Sequence, residues 1–102
     1  MPHKILRKLF LGFIHIHILH HAAKDPFFGS WMMEELREHG YEISPGTLYP
    51  ILHSLESNGF LRMYEETYEG KIRKYYSITP AGEELLKEAK AKAYELVKEL
   101  EE

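Results

Sequence analysis

The chain has 102 residues, 44% of them hydrophobic and 28% charged, which is enough for one domain with its own core and too little for a two-lobed enzyme. Cysteine is absent, so disulfides, thiolate metal ligands and cysteine nucleophiles are excluded, and a reducing cytoplasm fits. Net charge is −3, yet residues 1–82 balance nine Lys/Arg against nine Asp/Glu and the excess lies wholly beyond them; DNA contact therefore requires local basic patches rather than a general positive field.

Lys4, Arg7 and Lys8 precede an apolar run from Leu9 to Leu19 that superficially copies a secretory signal. His15 and His17 interrupt the run, no small-residue cleavage site follows, and it falls short of the ~20 residues that span a bilayer. No membrane partner is expected. Residues 4–22 are predicted as a first helix, apolar nearly all round through Ile5, Leu6, Leu9, Phe10, Phe13, Ile14, Ile16 and Leu19, and so buried on more than one side. The stretch Ile14–Ile18 alternates as a strand does, but its surroundings favour helix.

Lys24-Asp25-Pro26 breaks the chain, and a second helix is predicted from an N-cap at Ser30 to Glu38, stopped by Gly40. Ser44-Pro45 starts a third helix, which ends near Asn58 before Gly59 and buries Leu48, Ile51, Leu52 and Leu55. Pro50 lies inside it, where a kink or an irregular turn is expected. Residues 60–64 and 72–78 read as two strands joined by a long polar tip, Glu65–Lys71. Thr79-Pro80 starts a last helix whose Leu86, Ala89, Ala93, Leu96 and Leu100 follow coiled-coil spacing.

Three helices, a hairpin and a helix make an α+β, mainly α order, that of a winged helix-turn-helix (three helices with a β-hairpin wing) followed by a C-terminal dimerisation helix. The division is a DNA-binding domain over 1–79 and a dimerisation helix over 80–102. Short polar groups and an aromatic on the third helix suit phosphate and base edges, and Lys71, Arg73 and Lys74 put three cations on the wing. Arg73 and Lys74 point to opposite faces of a strand, which favours Lys71 and Arg73 as the pair that acts together.

The run Ser44-Pro45-Gly46-Thr47-Leu48-Tyr49-Pro50-Ile51-Leu52, with Leu55-Glu56, Gly59, Arg73-Lys74-Tyr75-Tyr76 and Thr79-Pro80-Ala81-Gly82, resembles the core of PadR-type transcriptional regulators. The short last helix is similar to the subgroup with a single C-terminal helix, and Ser30 stands where members often carry Tyr. The resemblance implies a homodimeric repressor that holds double-stranded DNA at a palindromic operator and lets go when a ligand or stress signal arrives. By position it implies recognition contacts from Ser44, Gly46, Thr47, Tyr49, Pro50 and His53 and wing contacts from Lys71, Arg73 and Lys74.

Several residues carry two readings. Tyr49 either touches DNA or caps the core, and its place off the Leu48 stripe favours exposure. Leu6 and Phe10 on the first helix with Leu86, Ala89, Ala93, Leu96 and Leu100 on the last make a dimer interface, or the last helix packs only within its own chain. Trp31, Phe27, Phe28 and Tyr94 are core, or line a pocket for a flat effector. His17 and His21 have the i, i+4 spacing of helical zinc sites but are two ligands only, so a dimer must supply the rest; the alternative is half-buried imidazoles at a helix end. No resident cofactor is expected, and zinc is the one candidate. A winged-helix protein-interaction module is the second reading of function, separated from the first by salt dependence. An enzyme has no phosphate loop, nucleophile elbow or paired carboxylates behind it.

Overall fold

A computed structural model describes residues 3–102. In chain order it holds helix α1 (Lys4–Lys24), a two-residue strand β1 (Phe27–Phe28), helices α2 (Gly29–Glu38) and α3 (Pro45–Ser57), strands β2 (Leu61–Tyr68) and β3 (Lys71–Ile78), and helix α4 (Pro80–Leu100). Ile14, Ile18, Leu19 and Ala22 of α1 are buried against Met32 and Leu36 of α2 and Leu48, Leu52 and Leu55 of α3, with Leu61, Phe27 and Tyr76 closing the cluster from the sheet. The buried α1 positions recur every three or four residues, so the alternating Ile14–Ile18 segment is helix. The expected burial on more than one side does not occur within one chain. Ile5, Leu9 and Phe13 stay exposed because no second element of the chain covers them.

Helices α2 and α3 end in the same Schellman geometry. The Tyr41 amide donates to the Leu36 carbonyl and the Gly40 amide to Arg37, just as Phe60 donates to Leu55 and Gly59 to Glu56. That geometry needs positive φ at the second-last residue, met at Gly40 (88°) and Gly59 (82°). Their starts are less conventional. α2 begins at Gly29 and not behind a Ser30 cap, because Phe27 and Phe28 pair with Tyr76 and Tyr75 of β3 and hold the chain extended up to the helix. Ser44 has the extended backbone of an N-cap, but its hydroxyl caps no amide; the Thr47 and Leu48 amides both donate to the Ser44 carbonyl.

α3 runs unbroken through Pro50, without the irregular turn its sequence suggests. Pro50 denies one hydrogen bond to the Gly46 carbonyl, four residues back. Both residues are exposed, so water replaces that partner.

The sheet is antiparallel with order β1-β3-β2. The long polar hairpin tip is not seen. Pairing continues from Leu61↔Ile78 to Tyr68↔Lys71, and the turn is Glu69-Gly70 alone, both at positive φ. This is the two-residue connection whose twist matches that of the strands, and aromatic cross-strand contacts carry the ladder through the charged segment.

α4 starts at Thr79, whose Oγ accepts from the Gly82 amide at 3.0 Å and donates to the Gly59 carbonyl at 2.5 Å, while its amide donates to the Phe60 carbonyl. Gly82 is buried there. A Cβ would collide with the Phe60 carbonyl oxygen and come within 2.7 Å of the Ile78 side chain. Beyond Lys90 every residue of α4 is exposed. The clash is with backbone, which cannot rotate aside, so Gly82→Ala is expected to destabilise the fold by about 2–3 kcal/mol; a urea midpoint equal to that of the parent chain would contradict the tight docking.

Candidate nucleic-acid interface

α3 turns its Leu48–Leu52–Leu55 stripe inward, and at ~100° per residue Gly46, Tyr49, Pro50 and His53 share the opposite side, all exposed. Ser44 and Thr47 stand at its first turn with their hydroxyl oxygens 3.4 Å apart. α2 and the short connection from His39 to Ser44 brace α3 from behind, so one polar helix face projects from a rigid support.

Tyr49 is exposed, as its place off the Leu48 stripe favours, and is also packed within the chain. It is 45% exposed, and the hydroxyl end of its ring also lies against Gly29, where a Cβ would sit within 2.7 Å of Cε1, Cζ and the hydroxyl oxygen. The glycine at the start of α2 is what gives the ring its seat. Tyr49 also lies near the Tyr76 hydroxyl, whose pKa is pushed up first by burial and then by Tyr49 and Glu56.

One contact could not be read from the sequence. The Arg7 guanidinium on α1 donates to Thr47 Oγ1 at 3.2 Å, forty residues away. Lys4 shares its side of α1 by i, i+3 spacing, with Lys8 in the same turn, so the basic turn that carries Arg7 stands beside the start of α3. In the sequence these cations resembled only the leader of an apolar run, and tertiary packing gives them another setting.

On the wing, Lys71 and Arg73 lie on one face of β3 and Lys74 on the other, as strand alternation requires. Arg73 is half-buried. Its guanidinium carbon stands 4.4 Å from the centroid of the Phe28 ring and 4.3 Å from that of Tyr68, and Tyr64 and Tyr75 stack beside them at 5.6 Å. Contact through the guanidinium face leaves its in-plane N–H groups at the rim, the geometry that meets a phosphate. Lys71 and Lys74 are exposed. Glu66 and Glu65 stand opposite Arg73 and Lys74, which tempers the wing's positive charge.

Away from this face, α1 and α4 diverge around a groove of about 630 Å³ whose walls include Phe13, Ile16, Tyr41, Leu86, Ala93 and Tyr94. Of the residues expected at a dimer seam, Leu6, Phe10, Leu86 and Ala89 are half-buried within the chain, Phe10 packing edge-on against Tyr41 at 5.6 Å. Ala93, Leu96 and Leu100 are exposed, Leu100 at 73%. The four aromatics weighed as one pocket are dispersed. Phe27 is core, Trp31 stacks on it at 6.2 Å but is 41% exposed, Phe28 joins the wing, and Tyr94 sits on α4 beside the groove.

His17 and His21 face a third imidazole, His39, from the end of α2 in the same chain. Burial holds the pKa of both α1 rings below the usual histidine value; around His17 the neighbouring His39, His21 and His20 add to it, and around His21 Glu35 opposes it. His39 and Glu35 escape a sequence search for ligands, since only the packing of α2 on α1 brings them close. His15 turns elsewhere, with Nδ1 2.6 Å from the Leu11 carbonyl. No described helix is long and apolar enough to cross a membrane.

Residues 18–88 match the model of the Transcriptional regulator PadR-like family. The transcriptional regulator Rv3488 of Mycobacterium tuberculosis is 45% identical over 87 residues, which cover 85% of this chain and 81% of that protein. Among solved structures, a PadR family transcriptional regulator from Eggerthella lenta superposes with a TM-score of 0.84 at 30% identity, covering 95% of this chain and 86% of that one. A PadR-like transcription factor from Bacteroides fragilis gives 0.81 at 29% identity, with 96% of each chain covered. A winged helix-turn-helix with an exposed polar third helix, matched over most of its length in sequence and structure, belongs to the PadR-like family of DNA-binding transcriptional regulators.

Proposed function

We propose that the chain acts as a homodimeric repressor on an inverted-repeat operator, with α3 of each protomer in the major groove and each wing against flanking phosphates or the minor groove. The observation that carries this reading is the single polar face of α3, backed by a buried leucine stripe and flanked at its first turn by Arg7. Tyr49 and His53 read base edges, and Ser44, Thr47 and the Gly46 backbone approach phosphates at the helix start, where amide dipoles favour negative charge. Pro50 keeps that face free of a backbone donor and fills space against the groove wall. Lys71, Arg73 and Lys74 serve the wing. The domain over residues 1–79 supplies these contacts, and residues 80–102 supply the partner contact.

Dimerisation is supported by apolar surface that one chain leaves open. Ile5, Leu9 and Phe13 on α1 and Leu96, Val97 and Leu100 on α4 are exposed together with the groove between the helices, more than a small monomer usually shows. Two-fold pairing through α4 sets the two recognition helices about one DNA turn apart. The groove has the size and apolar lining of a small-molecule pocket, which suits an effector that alters the pairing.

Replacing Tyr49 and Lys71 together with alanine is expected to lower operator affinity about 100-fold, from roughly 1–3 kcal/mol at a base contact and less at a phosphate. Fluorescence anisotropy with a duplex selected from a random library measures this, and unchanged affinity would remove α3 and the wing from the interface. Arg7→Ala is expected to weaken binding to all sequences alike and to reduce the slope of log affinity against log salt by about 2 for a dimer, about 1 per protomer; an unaltered slope shows that Arg7 meets no phosphate. Leu96→Glu combined with Leu100→Glu is expected to halve the mass found by sedimentation equilibrium. A persistent dimer would place the interface elsewhere.

A further inference from the structure

Three imidazoles converge where α1 meets the end of α2. His17 and His21 stand one helical turn apart on α1 and His39 follows α2, with one ring nitrogen from each lying within 4.8 Å of the others. The His17 and His39 ring centroids are 4.6 Å apart, and His17 stacks over His21 at 6.5 Å. Glu35 adds a carboxylate, one oxygen 4.0 Å from His21 Nε2 and the other 3.8 Å from His39 Nε2.

Ordinary packing explains this group poorly. His21 Nε2 is buried and has no hydrogen-bond partner, the only such side-chain atom among the described residues, and a buried polar atom left unpaired is costly. That orphan nitrogen is the one that faces Glu35, and the His21 ring that carries it stands beside the other two.

We propose that His17, His21, His39 and Glu35 bind one divalent transition-metal ion per chain, with zinc the ion their chemistry suits best. Three imidazole nitrogens and one carboxylate oxygen make a four-donor set of the kind zinc takes, whereas calcium and magnesium favour oxygen donors alone. A tetrahedral ion with bonds of about 2.0–2.1 Å sets its donors about 3.4 Å apart, so the widest imidazole pair must close by a little over 1 Å, and Glu35, which lies outside the mutual 4.8 Å spacing of the three rings, must turn one oxygen inward to join them. His39, with a side chain 45% exposed at a helix end, has the freedom to swing in. His20 stands outside the set, exposed. The half-open position lets the ion exchange with solvent, as a sensor needs. The ion ties α1 to the last turn of α2, immediately before Gly40 and the connection into α3. Resting on the DNA-binding reading above, its occupancy biases the seating of α3 and so the affinity for operator.

Titration of the whole metal-free chain with cobalt(II) tests the site. One equivalent is expected to give the intense visible absorption of a four-coordinate ion, lost on adding equimolar zinc. His21→Ala and His39→Ala are expected to weaken cobalt binding by about 100-fold or more, since a ligand matters at least as much as the outer-shell groups that orient one, and His20→Ala to leave it intact. His39→Ala removes a partly exposed ring, so its metal-free melting should match the parent and separate a lost ligand from a lost fold. The proposal is overturned if the parent shows no saturable band, or if the band persists at parental affinity in His39→Ala. Zinc is further expected to shift operator affinity at least about 5-fold in the parent and not in His39→Ala. An unshifted affinity with DNA still bound overturns the coupling, whereas no DNA binding with or without zinc overturns the DNA-binding reading and leaves the cobalt result to judge the site.

Discussion

The architecture hangs on one knot, where Thr79 meets the turn that ends α3. Its hydroxyl serves the Gly59 carbonyl and the Gly82 amide at once, and its backbone amide takes the Phe60 carbonyl. Three elements are fixed there together: α3 stops, the wing begins and ends through the Leu61↔Ile78 pair, and α4 departs. Gly82 lets the first turn of α4 approach the Phe60 backbone without an intervening methyl group. A helix carrying most of its length in solvent can still leave at a defined angle, because its first turn is held by hydrogen bonds and packing while the Ala-, Leu-, Glu- and Lys-rich remainder sustains the helix by its own propensity.

Most of this fold is legible in the sequence, because its signals are local. Leu48, Leu52 and Leu55 recur at helical spacing, Gly40 and Gly59 end helices, and Thr79-Pro80 starts one. Local reasoning fails where the deciding partner is distant. Phe27 and Phe28 are too few to show a strand's period, and only β3 makes them one, which then moves the start of α2 from Ser30 to Gly29. The hairpin tip is charged enough to pass for a loop, but Arg73, Phe28 and Tyr68 hold it as sheet. The polar face of α3 follows from helical spacing and family resemblance together. Arg7 and His39 do not, because each gains its meaning from a side chain on another helix.

Charge is used sparingly. A nearly neutral molecule gains no long-range steering toward DNA, so it depends on where its few cations sit. Arg7 is fixed by Thr47 and Arg73 by two aromatic rings, and a cation already held in place loses less freedom on meeting a phosphate than a free lysine does. The acidic excess rides on α4, away from the start of α3 and out along a helix whose apolar residues are also in solvent. The proposed pairing through that helix would seat apolar side chains among glutamates, which favours a defined register over indiscriminate association.

The seat of Tyr49 on Gly29 joins two parts of the molecule usually considered apart. Phe28 pairs with Tyr75, lies under Arg73, and leads directly into Gly29, which carries the ring of Tyr49. In the proposed complex, a wing pulled by the curvature of flanking DNA would shift the floor beneath a side chain on the exposed face of α3, across a single peptide bond. Base preference in the operator's centre and groove shape at its edges would then become one joint variable, and the cost of changing both would depart from the sum of changing each.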